Sequence, residues 1–100
     1  MVIEYFFHNM SDKKDFFIKE RGSHLYNVLF LVKAGGFVCS IDGRTFTAGA
    51  GDAVLFKANE YFRRRVTSSL AYLQAGFFVK EGGEIFDGLA SGVLPLDKDY

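Results

Sequence analysis

The side chains able to do chemistry in this chain are few. There are two histidines, His8 and His24, and one cysteine, Cys39. A lone cysteine allows no intrachain disulfide. Cys39 sits in Phe37-Val38-Cys39-Ser40-Ile41 with no cation beside it. A reactive thiol needs a cationic, partly exposed setting, so Cys39 reads as a small buried apolar residue. The densest chemical run is Tyr61-Phe62-Arg63-Arg64-Arg65. Aromatic side chains interleaved with arginines fit nucleic acid or a small anion. On a strand, alternate side chains face opposite ways, so at most two of these arginines share a face. Phosphate backbones normally recruit more cations than that. The run therefore reads as a solvated edge strand whose charges block edge pairing, with an arginine left over for a small ligand.

The elements that must hold these residues are strands and turns. The 100 residues allow one domain. Half the chain is hydrophobic (49%) and 17% is aromatic, with 12 basic and 12 acidic residues, which excludes disorder and a polyelectrolyte held by bulk charge. The N-terminus lacks the basic start and apolar stretch of a signal peptide. The apolar runs at 25–32 and 70–79 fall short of the roughly 20 residues a membrane helix needs. These features predict a cytoplasmic protein with no membrane partner.

Strands are predicted at 2–7, 15–19, 24–33, 37–41, 44–47, 53–56, 61–67 and 70–79, with a loop over 9–14. Asp42-Gly43 between two apolar runs is a strong hairpin signal, because both residues tolerate the positive φ of a type I′ turn. Gly51-Asp52 marks a second tight turn, where Asp accepts turn N–H groups. Glu84–Ala90 offers one or two helical turns, limited by Gly88. Short strands with glycine turns predict an all-β barrel or sandwich. The segment 24–33 is apolar at almost every position, as in a strand covered on both faces.

In this order and spacing the run from Arg21 to about Val79 resembles the cupin barrel. More closely, it resembles the N-terminal sensor domain of AraC-type bacterial transcription regulators. The resemblance rests on Arg21, Tyr26, Val32-Lys33-Ala34-Gly35-Gly36, Ile41-Asp42-Gly43, Phe46-Thr47-Ala48-Gly49-Ala50-Gly51-Asp52, Val54-Leu55-Phe56 and Phe77-Phe78. It implies a cupin-like double-stranded β-helix (jelly-roll) over residues 1–90. Residues 91–100 would then begin a linker to a DNA-binding domain absent from this chain.

Metal-binding cupins place two His and a Glu in one motif and a further His in a second. Aligned on the glycine turn, Arg21, Ser23 and Asn27 stand near the first set and Phe62 at the second. The preferred imidazole and carboxylate donors are missing, which implies no metal and no cofactor. His24 lies one residue off the ligand parity and reads as a polar residue at a strand start.

With Asn27 facing inward, alternation carries Leu25, Leu29, Leu31 and Lys33 inward too, opposite Phe62, Arg64, Leu73, Ala75 and Phe77. The expected ligand-binding set is Arg21, Asn27, Leu29, Lys33, Phe62, Arg64, Leu73 and Phe77. This is an apolar pocket with a few polar anchors. Its arginine favours a carboxylate, phosphate or polyhydroxyl ligand. Tyr26, Val28, Phe30 and Val32 would form an outer apolar face, which predicts a homodimer or a domain-swapped pair.

The resemblance thus implies a non-catalytic effector-binding and oligomerisation domain. It would bind a sugar or small organic acid and reach DNA only through the missing domain. Two other readings stay open. One is a metal-free cupin enzyme acting on a sugar derivative, although the inward set holds no acid–base pair. The other is a structural dimerisation module with a barrel filled by its own side chains.

Overall fold

The computed structural model describes residues 2–81 and 83–94. It holds seven strands in one curled sheet: β1 (Val2–Lys14), β2 (Arg21–Gly22), β3 (Asn27–Ile41), β4 (Arg44–Gly49), β5 (Ala53–Phe56), β6 (Phe62–Glu81) and β7 (Gly92–Val93). One short helix, α1 (Gly83–Asp87), lies between β6 and β7. The sheet runs β1-β6-β3-β5-β7, with β2 beside β6 and β4 beside β3. All its pairings are antiparallel. The all-β architecture expected from the sequence, with at most a short C-terminal helix, is the one found.

Local turn chemistry sets the register. Asp42 (φ 52°) and Gly43 (φ 73°) both adopt positive φ between β3 and β4, as a type I′ hairpin requires. At the second turn, Asp52 Oδ2 accepts the Gly49 N–H at 2.8 Å. The turn is fastened to β3 because Val32 N donates to Asp52 O and Gly51 N to Val32 O, both at 2.9 Å.

Several boundaries differ from expectation. Residues 9–14 continue β1, because β6 is long enough to pair with them as far as Lys14. The 15–19 segment pairs with no strand and crosses the barrel as an irregular strap. The two segments expected at 24–33 and 37–41 form one strand, β3, and those at 61–67 and 70–79 form one strand, β6. Both strands bend through register shifts around Gly35 and Gly36 instead of stopping. Gly35 has φ 72°, and a Cβ there would lie 1.9 Å from the Ser69 carbonyl oxygen. Only glycine fits this bulge. The bulge also inverts the alternation. Val28, Phe30 and Val32 face the core before it, and Phe37, Cys39 and Ile41 after it.

The core is aromatic. Phe30 stacks on Tyr72 with centroids 4.4 Å apart and meets Phe37 edge-on at 5.4 Å. Phe17, on the strap, reaches in to Phe37 at 5.4 Å. Ser91–Leu94, assigned from sequence to the start of a linker, lies against the barrel instead. Val93 and Gly92 pair with Val54 and Leu55, and Ser91 Oγ accepts from Lys57 N at 2.9 Å while donating to Glu60. Lys57 Nζ donates to the Leu89 carbonyl at 2.9 Å beyond α1. The rest of that expected linker, residues 95–100, lies outside the described residues. No described helix is long and apolar enough to cross a membrane.

Candidate functional site

Arg64 occupies the middle of β6 with its side chain turned into the barrel. Its neighbours on the strand, Arg63 and Arg65, stay at the surface. This split is what strand alternation demands of three consecutive arginines. The strand is not an edge, however. β3 flanks it on one side, and Arg21-Gly22 pairs with Arg63-Phe62 on the other.

The guanidinium of Arg64 lies over three rings. Its Cζ stands 4.2 Å from the Phe17 centroid, 4.5 Å from Phe62 and 5.2 Å from Phe56. Nε donates to the Lys19 carbonyl at 3.0 Å, and the backbone N of Arg64 donates to Glu20 O at 2.7 Å. One residue therefore forms part of the interior wall and also pins the strap. Its Nη1 is buried with no hydrogen-bond partner. Burial lowers the Arg64 pKa to about 10, against the opposing influence of Cys39, Tyr72 and Tyr26.

His24 stands in the same aromatic surround. Its ring stacks on Tyr26 at 5.3 Å and lies 5.1 Å from Phe62. Nδ1 is buried and unpartnered. Burial first, then the charges of Arg64 and Lys19, push its pKa down to about 4, so the ring is neutral at physiological pH. Burial likewise raises the Cys39 thiol to about 11, with Arg64 pulling the other way. Cys39 is therefore a protonated, apolar filler, as its sequence context indicates.

Beside Arg64 opens a cleft of about 290 Å³ between β1, the strap, β3 and β6. Asn9, Ser11, Lys14, Phe17, Lys19, Phe30, Arg64, Tyr72 and Gln74 line it, together with Phe16 and Ile18. Among the described residues, its wall carries three cations and no Asp, Glu, His or Cys. Among the described residues, no three His, Cys, Asp or Glu side chains come together anywhere. His24 and Cys39 both feel the charge of Arg64, which opposes a cation near them. The residues present do not fit the metal centre of metal-binding cupins.

Of the expected ligand-binding residues, the structure brings Phe62 and Arg64 together in the interior, with Phe62 only 1% exposed. The others lie elsewhere. Asn27 is buried but spends its Oδ1 on the Ala58 N–H at 2.8 Å, a structural tie. Asn27, Leu29 and Leu31 pair with Phe77, Ala75 and Leu73 on the face of the sheet away from the core. There Phe77 packs on Phe86 of α1 at 5.9 Å. Lys33 and Arg21 are exposed, and Leu25 is 81% exposed.

The stripe expected outside, Tyr26-Val28-Phe30-Val32, is the interior. The physical reason is that 24–33 is apolar on both faces, so alternation alone does not say which face is inside. One signal does discriminate. Lys33 belongs to the same alternate set as Leu29 and Leu31, which marks that set as the solvent side. His24, Tyr26, Phe30 and Tyr72 were missed as interior residues for this reason. Phe17 was missed because nothing in its local sequence shows a loop residue reaching into a core.

No family model matches the chain, and no curated protein matches its sequence. Several of the solved structures it resembles are described as cupins. A cupin superfamily protein from Desulfitobacterium hafniense superposes with TM-score 0.62 at 14% identity, covering 72% of this chain and 66% of that one. A cupin protein from Bacteroides fragilis gives TM-score 0.56 at 19% identity, over 83% of this chain and 74% of that one. The EutQ protein of Clostridium difficile gives TM-score 0.54 at 16% identity, over 70% and 52%. The chain thus spans less than two thirds of the Desulfitobacterium and Clostridium chains. Likeness at these identities establishes the fold: this is a cupin-like domain.

Proposed function

We propose that this cupin-like domain is a non-catalytic sensing barrel that binds a small molecule in the cleft beside Arg64. The observation that carries the reading is Arg64 itself, a buried cation which, among the described residues, has an unpartnered Nη1 and no acidic side chain on the cleft wall. A buried polar group without a partner costs on the order of 1–3 kcal/mol. Among the described residues, the wall carries no His, Asp, Glu or Cys to exchange protons with a substrate, which favours binding over turnover.

The order of motifs shared with AraC-type sensors supports a regulatory setting. There the domain would pass its ligand state to a DNA-binding domain outside this chain. Ligand can shift such a state only through different affinity for the two forms. The strap 15–20, held by Arg64 at Lys19 and Glu20, lines the cleft in which the ligand would sit.

The domain is also proposed to work as a homodimer, through β1 and not through the buried Tyr26–Val32 face: β1 ends the sheet with β6 as its partner and exposes Val2, Ile3, Tyr5 and Met10. Long apolar edges invite pairing.

A thermal-shift screen of sugars, organic acids and aromatic acids tests the sensing role. A ligand present well above its Kd raises the apparent stability by mass action. If no compound shifts the melting transition, the sensing role falls and the filled-barrel module takes its place.

A further inference from the structure

We propose that the outer face of the sheet around Arg21, Arg63 and Arg65 binds a phosphate monoester group. The site lies on the opposite side of β6 from the Arg64 cleft, and its case does not rest on the sensing role.

The sheet pairing assembles the site. Arg63 and Arg65 face outward together, because Arg64 between them faces in. Alternation within the run allows no third arginine on that face. The β2–β6 pairing supplies one, since Arg21 stands directly opposite Arg63. All three side chains are exposed. Nor do these charges guard a sheet edge. β3 pairs with β6 at Phe62–Arg65, β2 pairs with it at Phe62 and Arg63, and Arg64 N donates to Glu20 O.

The charges are concentrated and uncompensated. Side chains directly opposed on neighbouring strands stand about 4.5–5.5 Å apart at Cβ, and like charges there repel. Arg63 and Arg65, two residues apart on one strand, are separated by about 6.5 Å. Three long side chains are thus held within reach of one anion. Among the described residues none of the three forms a salt bridge; the ion pair found joins Lys80 to Glu4. Glu20, Arg21 and the paired stretches 38–40 and 63–65 line a depression of about 300 Å³ on this face. Three outward guanidiniums against one carboxylate, Glu20, leave two positive charges in excess.

A phosphate monoester matches that excess. It carries about −1.5 to −2 charge at neutral pH and three acceptor oxygens. Guanidinium forks pair with phosphate oxygens through parallel N–H donors. Ser40 opposes Arg63 from the β3 side, with its Oγ 2.7 Å from Thr45 Oγ1. One O–H joins these two hydroxyls, and the other remains a donor. A carboxylate or a phosphodiester brings a single charge. Duplex DNA is the weaker fit, because its binding proteins commonly make about 6–10 phosphate contacts. Among the described residues the depression has no aromatic lining, so it recognises the charged group and little of what carries it.

The test uses the intact chain in phosphate-free buffer. Calorimetric titration would compare glycerol 3-phosphate and a phosphoserine peptide with dimethyl phosphate, acetate and a single-stranded DNA oligomer. The two monoesters should bind, and dimethyl phosphate and acetate should bind at least tenfold more weakly, the effect of losing one charged hydrogen-bonded contact. Arg21→Gln, Arg63→Gln and Arg65→Gln should each weaken the monoesters by roughly tenfold. Lys33→Gln, which removes an exposed cation elsewhere, should leave their binding unchanged. Arg63→Gln also relieves the repulsion with Arg21, so its melting temperature without ligand should equal or exceed that of the native chain. Whichever monoester binds more tightly supports the site and shows whether a small ester or a protein segment supplies the group. Absence of monoester binding up to millimolar concentration overturns the proposal. So does an equal loss in Lys33→Gln, which would mark a diffuse field. Acetate or dimethyl phosphate binding as tightly as the monoesters overturns the ligand class, and tighter binding of the DNA oligomer makes the face a nucleic-acid surface instead.

Discussion

The Arg64 guanidinium lies over the Phe17 ring, with Cζ 4.2 Å from the ring centroid. The contact joins a mid-strand residue of β6 to a residue of the irregular strap. Phe17 is 7% exposed, whereas its neighbour Ile18 is 95% exposed, so Phe17 is the strap's buried side chain, beside the backbone ties of Lys19 and Glu20 to Arg64. A desolvated cation–π contact contributes about 2 kcal/mol, and truncating a buried Phe to Ala costs about 3–5 kcal/mol. Phe17→Ala should therefore destabilise the domain by roughly 3 kcal/mol and raise protease cleavage within 15–20. Urea unfolding and limited proteolysis check this. An unchanged urea midpoint would show that the strap is not anchored by Phe17.

His24 predicts a pH dependence of stability. Its pKa is 6.5 in an unperturbed chain and about 4 in the fold. Between these values the unfolded state binds more protons. Stability is therefore complete above about pH 6.5 and declines as the pH falls toward 4. The loss attributable to this residue is on the order of 1–2 kcal/mol across that window, discounted for partial exposure. Urea midpoints at several pH values, for the native chain and His24→Phe, isolate it. Parallel pH profiles for the two proteins would remove His24 as the source.

Cys39 should be unreactive in the folded protein. Its thiol is held at about 11 by burial, and the thiolate is the reacting species. Labelling by a disulfide reagent at neutral pH should run roughly a hundredfold slower in the native protein than in urea, following the thiolate fraction. Comparable rates in the two states would mean that Cys39 is open to solvent.

Gly35→Ala should be among the most damaging single changes. The position combines φ 72° with a Cβ site 1.9 Å from a backbone oxygen. Strain of this kind costs about 1–3 kcal/mol before any clash is counted. Loss of at least 2 kcal/mol, with disturbed amide resonances at both Val32–Phe37 and Ser68–Leu70, is expected. Gly43→Ala, where no atom lies within 4 Å of the added Cβ, should cost less. Equal effects of the two would separate the bulge from the steric argument.

Much of the fold was legible in local chemistry. The Asp42-Gly43 hairpin, the Gly51-Asp52 turn, β5 at Ala53–Phe56 and the short helix at Gly83–Asp87 each follow from residues close in sequence. So does the separation of Arg64 from Arg63 and Arg65, since alternation is a property of the strand itself. Strand lengths were less legible. β1 continues through polar Asn9–Lys14 because β6 supplies hydrogen-bond partners there. The bend in β3 depends on how closely Ser69 approaches Gly35.

The sequence by itself determined the all-β architecture, its turns and the separation of Arg64 from Arg63 and Arg65. Tertiary structure alone decided which set of β3 side chains lines that interior. In Tyr26–Val32 both alternate sets are apolar, so burying either one gains comparable free energy from water. The choice was made by what lies across the sheet: Tyr72, Phe56 and the incoming Phe17 on one face, Phe77 and Phe86 on the other. That choice placed His24 near Arg64 and left Lys33 in solvent.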